Sequence, residues 1–169
     1  MFAPSKTPGS GLGERAPIYL VAENVRSLFN VGAFFRTADG VNASGICLAG
    51  FTGTPPRKEI SRVALSADES VPWVYRNSAP DAVQELSRCG VQMIALEQTD
   101  QSVDYRLYPY HFPVGIVVGH EVEGVSAETV RACDGAIHLP MLGTKTSLNV
   151  SVAAAVELYH LSSLIYNSP

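Results

Sequence analysis

Short apolar runs alternate along the chain with segments of helical spacing, a pattern typical of an α/β domain. The apolar runs are hydrophobic on both faces, as strands buried in a parallel sheet usually are. These predicted strands lie at Ile18–Ala22, Gly45–Ala49, Val91–Leu96, Val114–Val118 and Ala136–Leu139. Helices are predicted between and after them, at Val31–Asp39, Asp81–Cys89, Ala127–Ala132 and about Ser147–Ile165. The pattern therefore predicts a mostly parallel sheet flanked by helices.

Two parts of the chain depart from this simple alternation. The segment Phe51–Tyr75 contains one glycine and three prolines, so it is predicted to be an irregular excursion with at most a short helical or extended piece, free for substrate contact. The terminal helix carries apolar or small residues around most of its circumference. Because the small side chains of Ala153–Ala155 allow another backbone to approach closely, this helix is predicted both to be deeply embedded and to form a subunit interface.

Composition indicates one globular domain in a reducing compartment. Of the 169 residues, 46% are hydrophobic and 17% charged, which excludes a disordered or fibrous protein. Residues 1–14 are predicted to be a flexible tail and residues 15–169 a single domain. The tail has no apolar signal-peptide core, the cysteines include no close pair, and polar residues interrupt the apolar stretch Leu148–Leu164. We therefore expect a cytoplasmic protein without a membrane span or a metal site.

Ligands of open α/β sheets bind at the carboxyl ends of the strands. Three predicted strands end there in polar residues or exposed backbone, at Glu97–Thr99, Gly119–Gly124 and Pro140–Gly143. The two glycines that bound the second exit permit close backbone approach or a positive φ. Thr146 or Ser147 is predicted to cap the terminal helix, with free N–H donors at its positive end. Each feature alone is equally consistent with an ordinary loop or cap; together they predict a site for a small ligand with a polar, charged end.

A second group of residues, Asn30, Gly32 and Arg36, lies near the amino end of the chain. Gly32 and Arg36 are four residues apart and so share one face of a helix. The glycine clears space on that face for another group to lie against the backbone, and the guanidinium can fork onto a phosphate or ribose. In the simpler interpretation Asn30 caps the helix and Arg36 is solvated.

Three segments occur in a fixed order along the chain: Asn30–Ala38 reads NVGAFFRTA, Gly119–Ser126 reads GHEVEGVS and Leu139–Ala155 reads LPMLGTKTSLNVSVAAA. Together they resemble the SpoU (TrmH-like) branch of the SPOUT superfamily of RNA methyltransferases, over roughly Ala16–Tyr166. The third segment is the most specific, because Ser-Leu-Asn-Val-Ser-Val-Ala begins a terminal helix just after a Leu-Pro-Met turn.

The resemblance implies a deep trefoil knot, in which the carboxyl-terminal segment threads through a loop, and a homodimer packed through the terminal helix. It also implies a cavity that binds S-adenosylmethionine, whose methyl group goes to a ribose 2′-hydroxyl of RNA. The implied cofactor-binding residues are Leu96, Glu97, Gly119, Leu139, Met141, Ser147 and Leu148.

Methyl transfer needs a bound donor, a positioned 2′-hydroxyl and a group that accepts its proton. By resemblance Arg36 is the candidate base, oriented and activated by a substrate phosphate. A guanidinium holds its proton strongly, so making it basic at pH 7 costs on the order of 7 kcal/mol. Alternatively Arg36 clamps phosphate and ribose while the proton leaves to water or to Glu121. Asn30, Glu121, Ser147 and Asn149 complete the implied catalytic site, with Arg36 supplied within the chain or across the dimer interface.

RNA must be held by a local patch, because a net charge of −4 excludes coating of nucleic acid by bulk charge. The candidate RNA-binding residues are Arg26, Arg36, Arg57, Lys58, Arg62 and Lys145. For Arg57, Lys58 and Arg62 a solvated loop is an equally good interpretation. Trp73 and Tyr75 are candidates for stacking on a flipped base, although core packing is the simpler interpretation.

The sequence thus indicates a methyltransferase acting on transfer RNA or, second, on ribosomal RNA, with two alternatives. One is a non-catalytic RNA-binding or assembly subunit that retains the knotted dimer. The acidic charge is compatible with it, as is His120, which stands where relatives more often have Asn or another small residue, whereas the presence of Arg36 and Asn149 argues against it. The other is a nucleotide-binding α/β domain of a different kind, for which Gly9–Gly13 lacks the preceding strand and Lys-Ser/Thr of a phosphate loop.

Overall fold

A computed structural model describes residues 15–166 of the chain. The tail predicted at residues 1–14 lies outside them, so that prediction stays a prediction. The strands are β1 (Ala16–Glu23), β2 (Ala43–Ala49), β3 (Trp73–Arg76), β4 (Gln92–Leu96), β5 (Val103–Asp104), β6 (Val114–Val118) and β7 (Gly135–His138). The helices are α1 (Leu28–Gly40), α2 (Lys58–Ala64), α3 (Ala67–Ser70), α4 (Ala79–Arg88), α5 (Ala127–Ala132) and α6 (Val150–Tyr166), with a 3-10 turn at Tyr105–Leu107.

The strands form one sheet in the order β3-β2-β1-β6-β4-β7-β5, and every pairing is parallel. The α/β fold with a parallel sheet, predicted from the apolar runs, is confirmed. The strands β3 and β5 were not predicted. They are the two edge strands, four and two residues long, and such short strands leave too little alternation to detect.

Alternate residues of the central strands face two separate cores. On one side Leu20, Ile46 and Ile116 pack against α1, α2, α3 and α6. On the other side Val21, Cys47 and Val117 pack against α4 and α5. Both faces of the sheet are therefore covered, which explains why the strands read as apolar on both faces.

The segment Phe51–Tyr75 is more regular than predicted, because it contains α2, α3 and the start of β3. Ile60, Ala64 and Ala67 from these helices are buried in the first core, so most of the segment is structural. Gly32 is where α2 approaches α1: a Cβ atom at Gly32 would lie 2.6 Å from the Ile60 carbonyl oxygen. The space that this glycine was predicted to clear is therefore filled by a neighbouring helix.

The terminal helix α6 has two apolar faces. Ala154, Leu158 and Leu161 are fully buried against the sheet and α1. Val152, Val156 and Tyr159 lie on the opposite face and are exposed. The sequence predicted that α6 is buried on several sides. Within one chain only the face of Ala154, Leu158 and Leu161 is buried. None of the helices among residues 15–166 has the length and apolar character needed to cross a membrane.

A buried carboxylic acid on α6 predicts a pH-dependent stability. Glu157 has no exposed surface, and the Tyr110 hydroxyl that acts on its carboxylate donates its own hydrogen bond to the Tyr105 carbonyl. Burial raises the pKa of Glu157 from 4.5 to about 7, so the folded chain keeps a proton that the unfolded chain has lost between these values. Stability contributed by this group is therefore highest below pH 4.5 and falls as pH rises to about 7.

Glu157→Gln is expected to remove this decrease in the free energy of unfolding with rising pH. Between pH 4.5 and pH 8 the wild-type unfolding free energy should fall by about 3 kcal/mol relative to that of the variant, measured by urea unfolding at both pH values. Glu128→Gln, at an exposed position on α5, is the control and should change the difference by under about 0.5 kcal/mol. Parallel pH curves for wild type and Glu157→Gln would contradict the prediction.

Candidate functional site

A cavity of about 340 Å³ lies at the carboxyl ends of β4, β6 and β7, beneath the segment that leads into α6. The structure thus brings together the three strand exits singled out in the sequence. All seven of the predicted cofactor-binding residues line it: Leu96, Glu97, Gly119, Leu139, Met141, Ser147 and Leu148.

The exit of β6 forms a tight turn that only glycine permits at two positions. His120 and Gly124 exchange backbone hydrogen bonds of 3.1 and 2.9 Å. A Cβ atom on Gly119 would lie 2.2 Å from the Gly124 carbonyl group, and Gly124 itself has a φ of +71°. The Glu97 carboxylate accepts a 2.8 Å hydrogen bond from the Val125 N–H at the end of this turn. Glu97 therefore lines the cavity and also fixes one of its walls.

Glu121, inside this turn, connects the β6 exit to the start of α1. Its carboxylate accepts hydrogen bonds from the Arg26 and Ser27 N–H groups at 3.0 and 2.8 Å and from the Asn30 side-chain amide at 2.9 Å. Partial burial raises the pKa of Glu121, but these hydrogen bonds lower it by more, so the net pKa lies below its usual value. Glu121 is thus an ionised acceptor that orients Asn30, and it is a weak base.

Asn149 continues this connection to α6. Its side-chain amide donates to the Asn30 Oδ1 atom at 3.3 Å, and its own Oδ1 atom accepts from the Ser151 and Val152 N–H groups at 2.9 and 3.3 Å. The Glu121 carboxylate fixes the Asn30 amide orientation, which in turn fixes that of Asn149. We call Glu121, Asn30 and Asn149 the polar chain; it joins three elements at the cavity.

The predicted cap of α6 is therefore wrong, and so is the simpler interpretation of Asn30 as a helix cap. Asn149, and not Thr146 or Ser147, caps α6, which begins at Val150. Ser27, and not Asn30, caps α1, since the Ser27 hydroxyl accepts from the Asn30 N–H at 3.3 Å. The physical reason is that Asn30 is buried and its amide is held by Glu121, whereas Ser147 lies exposed at the cavity.

His120 closes the turn that contains Glu121. Its Nδ1 atom accepts hydrogen bonds from the Val122 and Glu123 N–H groups at 3.1 and 3.2 Å. An Asn side-chain oxygen is also an acceptor suited to such turns, so His and Asn can meet the same requirement at this position. The ring of His120 also contacts Phe51 edge-on, with centroids 6.0 Å apart.

Arg36 lies apart from the polar chain. It is exposed and borders a second concavity that Tyr159 of α6 also lines, and it is not among the residues of the first cavity. Six residues along α1 separate it from Asn30, which is about 9 Å of helix. Of the predicted catalytic residues, Asn30, Glu121, Ser147 and Asn149 are thus brought together within one chain, and Arg36 is not.

The other predicted RNA-binding residues are all exposed: Arg26, Arg57, Lys58, Arg62 and Lys145. Trp73 packs against the first core, and the Tyr75 hydroxyl donates to the Gly50 carbonyl at 2.9 Å, so core packing and loop support account for both rings. Sequence reasoning missed His138, Val150 and Ala153 as cavity residues and Phe51 as a neighbour of His120. In the part of the chain that the structure describes, no group of three or more His, Cys, Asp or Glu could hold a metal ion.

Comparison with known proteins now identifies the family. The sequence model of the SpoU rRNA Methylase family matches residues 17–159. The tRNA (guanosine(18)-2′-O)-methyltransferases of Escherichia coli and Thermus thermophilus are each 35% identical, over 88% and 94% of this chain. This chain covers 64% of the first enzyme and 84% of the second.

The AdoMet-bound rRNA methyltransferase from Sinorhizobium meliloti has a similar structure. Its TM-score is 0.81 at 30% identity, over 89% of this chain and 57% of that one. The family model spans all three motif segments and the sheet that positions them. On this evidence the chain belongs to the SpoU rRNA Methylase family.

Proposed function

We propose that this protein transfers a methyl group from S-adenosylmethionine to a ribose 2′-hydroxyl of RNA, most favourably transfer RNA. The observation that carries the proposal is the polar chain Glu121–Asn30–Asn149 at the mouth of a cavity of about 340 Å³. The relatives named above support the reaction and favour transfer RNA, because two of them are tRNA 2′-O-methyltransferases at 35% identity.

The cavity lining fits S-adenosylmethionine. Its volume lies within the usual range for small-molecule sites, and its lining combines the apolar side chains of Leu96, Leu139 and Met141 with polar and charged groups. Three carboxylates at its rim, from Glu97, Glu121 and Glu123, suit the sulfonium and ammonium charges of this cofactor. The residues that would hold it are Leu96, Glu97, Gly119, Leu139, Met141, Ser147 and Leu148. When bound, S-adenosylmethionine supplies an electrophilic methyl group.

Within this site each side chain has a separate task. The Asn30 and Asn149 amides and the Ser147 hydroxyl orient the ribose, and Glu121 fixes both amides. Arg36 clamps the adjacent phosphate and ribose with its guanidinium fork. The 2′-hydroxyl proton leaves to water, since the Glu121 oxygens already accept three hydrogen bonds and its pKa is low.

Arg36 is proposed to act in the cavity of a partner subunit. Val152, Val156 and Tyr159 form an exposed face on α6, and we propose that two copies pair antiparallel through it in a homodimer. A two-fold axis that crosses this exposed face at the level of Ala154 along α6 then places Val152 opposite the partner's Val156. The same axis places the partner's Tyr159, and the Arg36 beside it, opposite Asn149 at the cavity mouth.

We further propose that the chain has the trefoil knot of its family. The supporting contact is that His160 of α6 packs edge-on against Tyr105 and Tyr110, with centroids 5.0 and 5.7 Å apart. The segment between β5 and β6 therefore lies against α6, and this contact supports a loop around the carboxyl-terminal segment.

The proposed reaction is tested by transfer of labelled methyl from S-adenosylmethionine to unmodified transfer and ribosomal RNA. Because alkali cannot cleave beside a 2′-O-methyl ribose, mapping of alkali-resistant sites identifies both the atom and the nucleotide. We expect one resistant position in transfer RNA. Cofactor and RNA binding without transfer to either RNA would instead support a non-catalytic RNA-binding subunit.

The basic residues at the start of α2 are expected to contribute to RNA binding. Arg57→Glu with Lys58→Glu should weaken binding of transfer RNA by at least about tenfold and flatten its salt dependence by about two counterions, because each cation neutralises one phosphate. Filter binding at several salt concentrations measures both. Affinity for S-adenosylmethionine should stay unchanged in calorimetry; equal loss of both affinities would mean that the fold was damaged.

A further inference from the structure

An exposed aromatic ring stands at the rim of the cavity. Phe51 is 62% exposed, and its ring contacts the edge of His120 with an interplanar angle of 79°. His120 lines the cavity and directly precedes Glu121 of the polar chain. Phe51 therefore lies beside the position that the target ribose occupies in the proposed reaction.

The backbone on both sides of Phe51 is held rigidly. The Phe51 N–H donates to the Asn24 side-chain oxygen at 3.1 Å, and Asn24 and Gly50 have φ values of +53° and +66°. The next residue, Thr52, is buried, and its hydroxyl bonds to the Ala22 carbonyl and the Val25 N–H. These hydrogen bonds therefore fix the backbone that carries Phe51, so its ring is held in an outward position.

Two exposed arginines lie on the segments that flank the loop of this ring. Arg57 extends over Gly53, with its Nη1 atom 3.8 Å from where a Cβ atom would lie, and Arg26 lies exposed next to the N–H groups that bind Glu121. A rigid aromatic ring with flanking cations is the combination that binds single-stranded nucleic acid, because the ring stacks on a base and the cations contact phosphates.

We propose that Phe51, packed against the His120 ring, is the stacking platform for the base of the target nucleotide. This inference rests on the proposed function. It gives a reason for the exposure of Phe51 and replaces Trp73 and Tyr75 as the base-stacking ring, since both of those are engaged elsewhere. Stacking accepts any base, so the platform contributes affinity and orientation more than base identity.

The test compares Phe51→Ala, Phe51→Leu and Phe51→Trp with wild type, using an unmodified transfer RNA transcript. Phe51→Ala should weaken transcript binding and raise its KM by about 5- to 150-fold. Phe51→Leu should not restore binding, whereas Phe51→Trp should. Affinity for S-adenosylmethionine should be unchanged in all variants. Phe112→Ala is the matched control, because Phe112 is an exposed ring just before the amino end of β6, whereas Phe51 follows the carboxyl end of β2.

A second arm identifies the stacked base. Once the methylated position is mapped, a transcript with an abasic ribose at that position should bind wild type and Phe51→Ala equally, as a double-mutant cycle requires for direct contact. An undiminished difference would overturn the assignment to the target base.

The remaining outcomes are also decisive. Restoration by Phe51→Leu would overturn stacking in favour of simple apolar contact, and wild-type RNA binding by Phe51→Ala would overturn the platform altogether. If wild type binds the transcript but methylates no RNA, the proposed function fails. The platform is then still tested by comparing transcript binding of Phe51→Ala with that of wild type. If wild type does not bind RNA, both fail.

Discussion

Arg36→Ala is expected to reduce methyl transfer to RNA by at least about 100-fold, while affinity for S-adenosylmethionine stays at the wild-type value. The physical reason is that Arg36 does not line the cavity of its own chain, so its removal leaves the cofactor residues untouched. Radiolabel transfer and calorimetry measure the two quantities. Arg88→Ala is the control, because Arg88 is an exposed arginine on α4, on the other side of the sheet.

Mixing two inactive variants tests whether Arg36 acts across the dimer. Glu121→Ala should lose transfer because Asn30 loses its carboxylate partner. In a heterodimer of Arg36→Ala with Glu121→Ala, one cavity has an intact Glu121 and receives Arg36 from the partner. If half of the dimers are mixed, about a quarter of wild-type activity should return. Failure of a verified heterodimer to regain activity would place Arg36 in its own chain's site.

The central strands and the cavity could be predicted from the sequence because each rests on a local rule. A buried parallel strand is apolar on both faces, as in Val114–Val118, and its carboxyl end faces the ligand side. The seven cofactor-binding residues follow from these ends and from the family resemblance. Their roles stay predictions, but their common position around one cavity agrees with the structure.

The polar chain could not be predicted from spacing, since 91 residues separate Asn30 from Glu121 and 119 separate it from Asn149. The resemblance grouped these residues, and the structure supplies the hydrogen bonds. The cap of α6 was misassigned because Thr146, Ser147 and Asn149 are all residue types that cap helices. Only the tertiary contact with Asn30 distinguishes Asn149.

Two other features depend on packing that the sequence does not encode locally. A glycine such as Gly32 signals a close approach, but the pattern does not tell a ligand from a helix, and here the neighbour is Ile60 of α2. Phe51 sits among prolines and glycines, where a single aromatic residue gives no periodic signal. Its exposure follows from the hydrogen bond of the Phe51 N–H to the Asn24 side chain and from that of the Thr52 hydroxyl to Ala22 of β1.

Val156→Asp is expected to convert the proposed dimer to monomers and to reduce methyl transfer at least as strongly as Arg36→Ala. In the proposed pairing it places a carboxylate from each subunit in an apolar contact without a cationic partner. An uncompensated buried charge costs about 3–5 kcal/mol, which weakens association by at least about 100-fold. Sedimentation velocity measures the association. Leu107→Asp, at an exposed leucine in the 3-10 turn, is the control and should remain dimeric.

This variant and the mixing experiment together separate the interface from the catalytic role of Arg36. A monomeric Val156→Asp protein should still bind S-adenosylmethionine, because every residue assigned to that cofactor comes from one chain. It should lose transfer because each cavity then lacks the partner's Arg36. A monomer with wild-type transfer would refute delivery of Arg36 in trans, and an unaltered dimer would refute the assignment of Val152, Val156 and Tyr159 to the interface. Loss of cofactor affinity as well would show that α6 also shapes the cavity, since Val150 and Ala153 line it from the same helix.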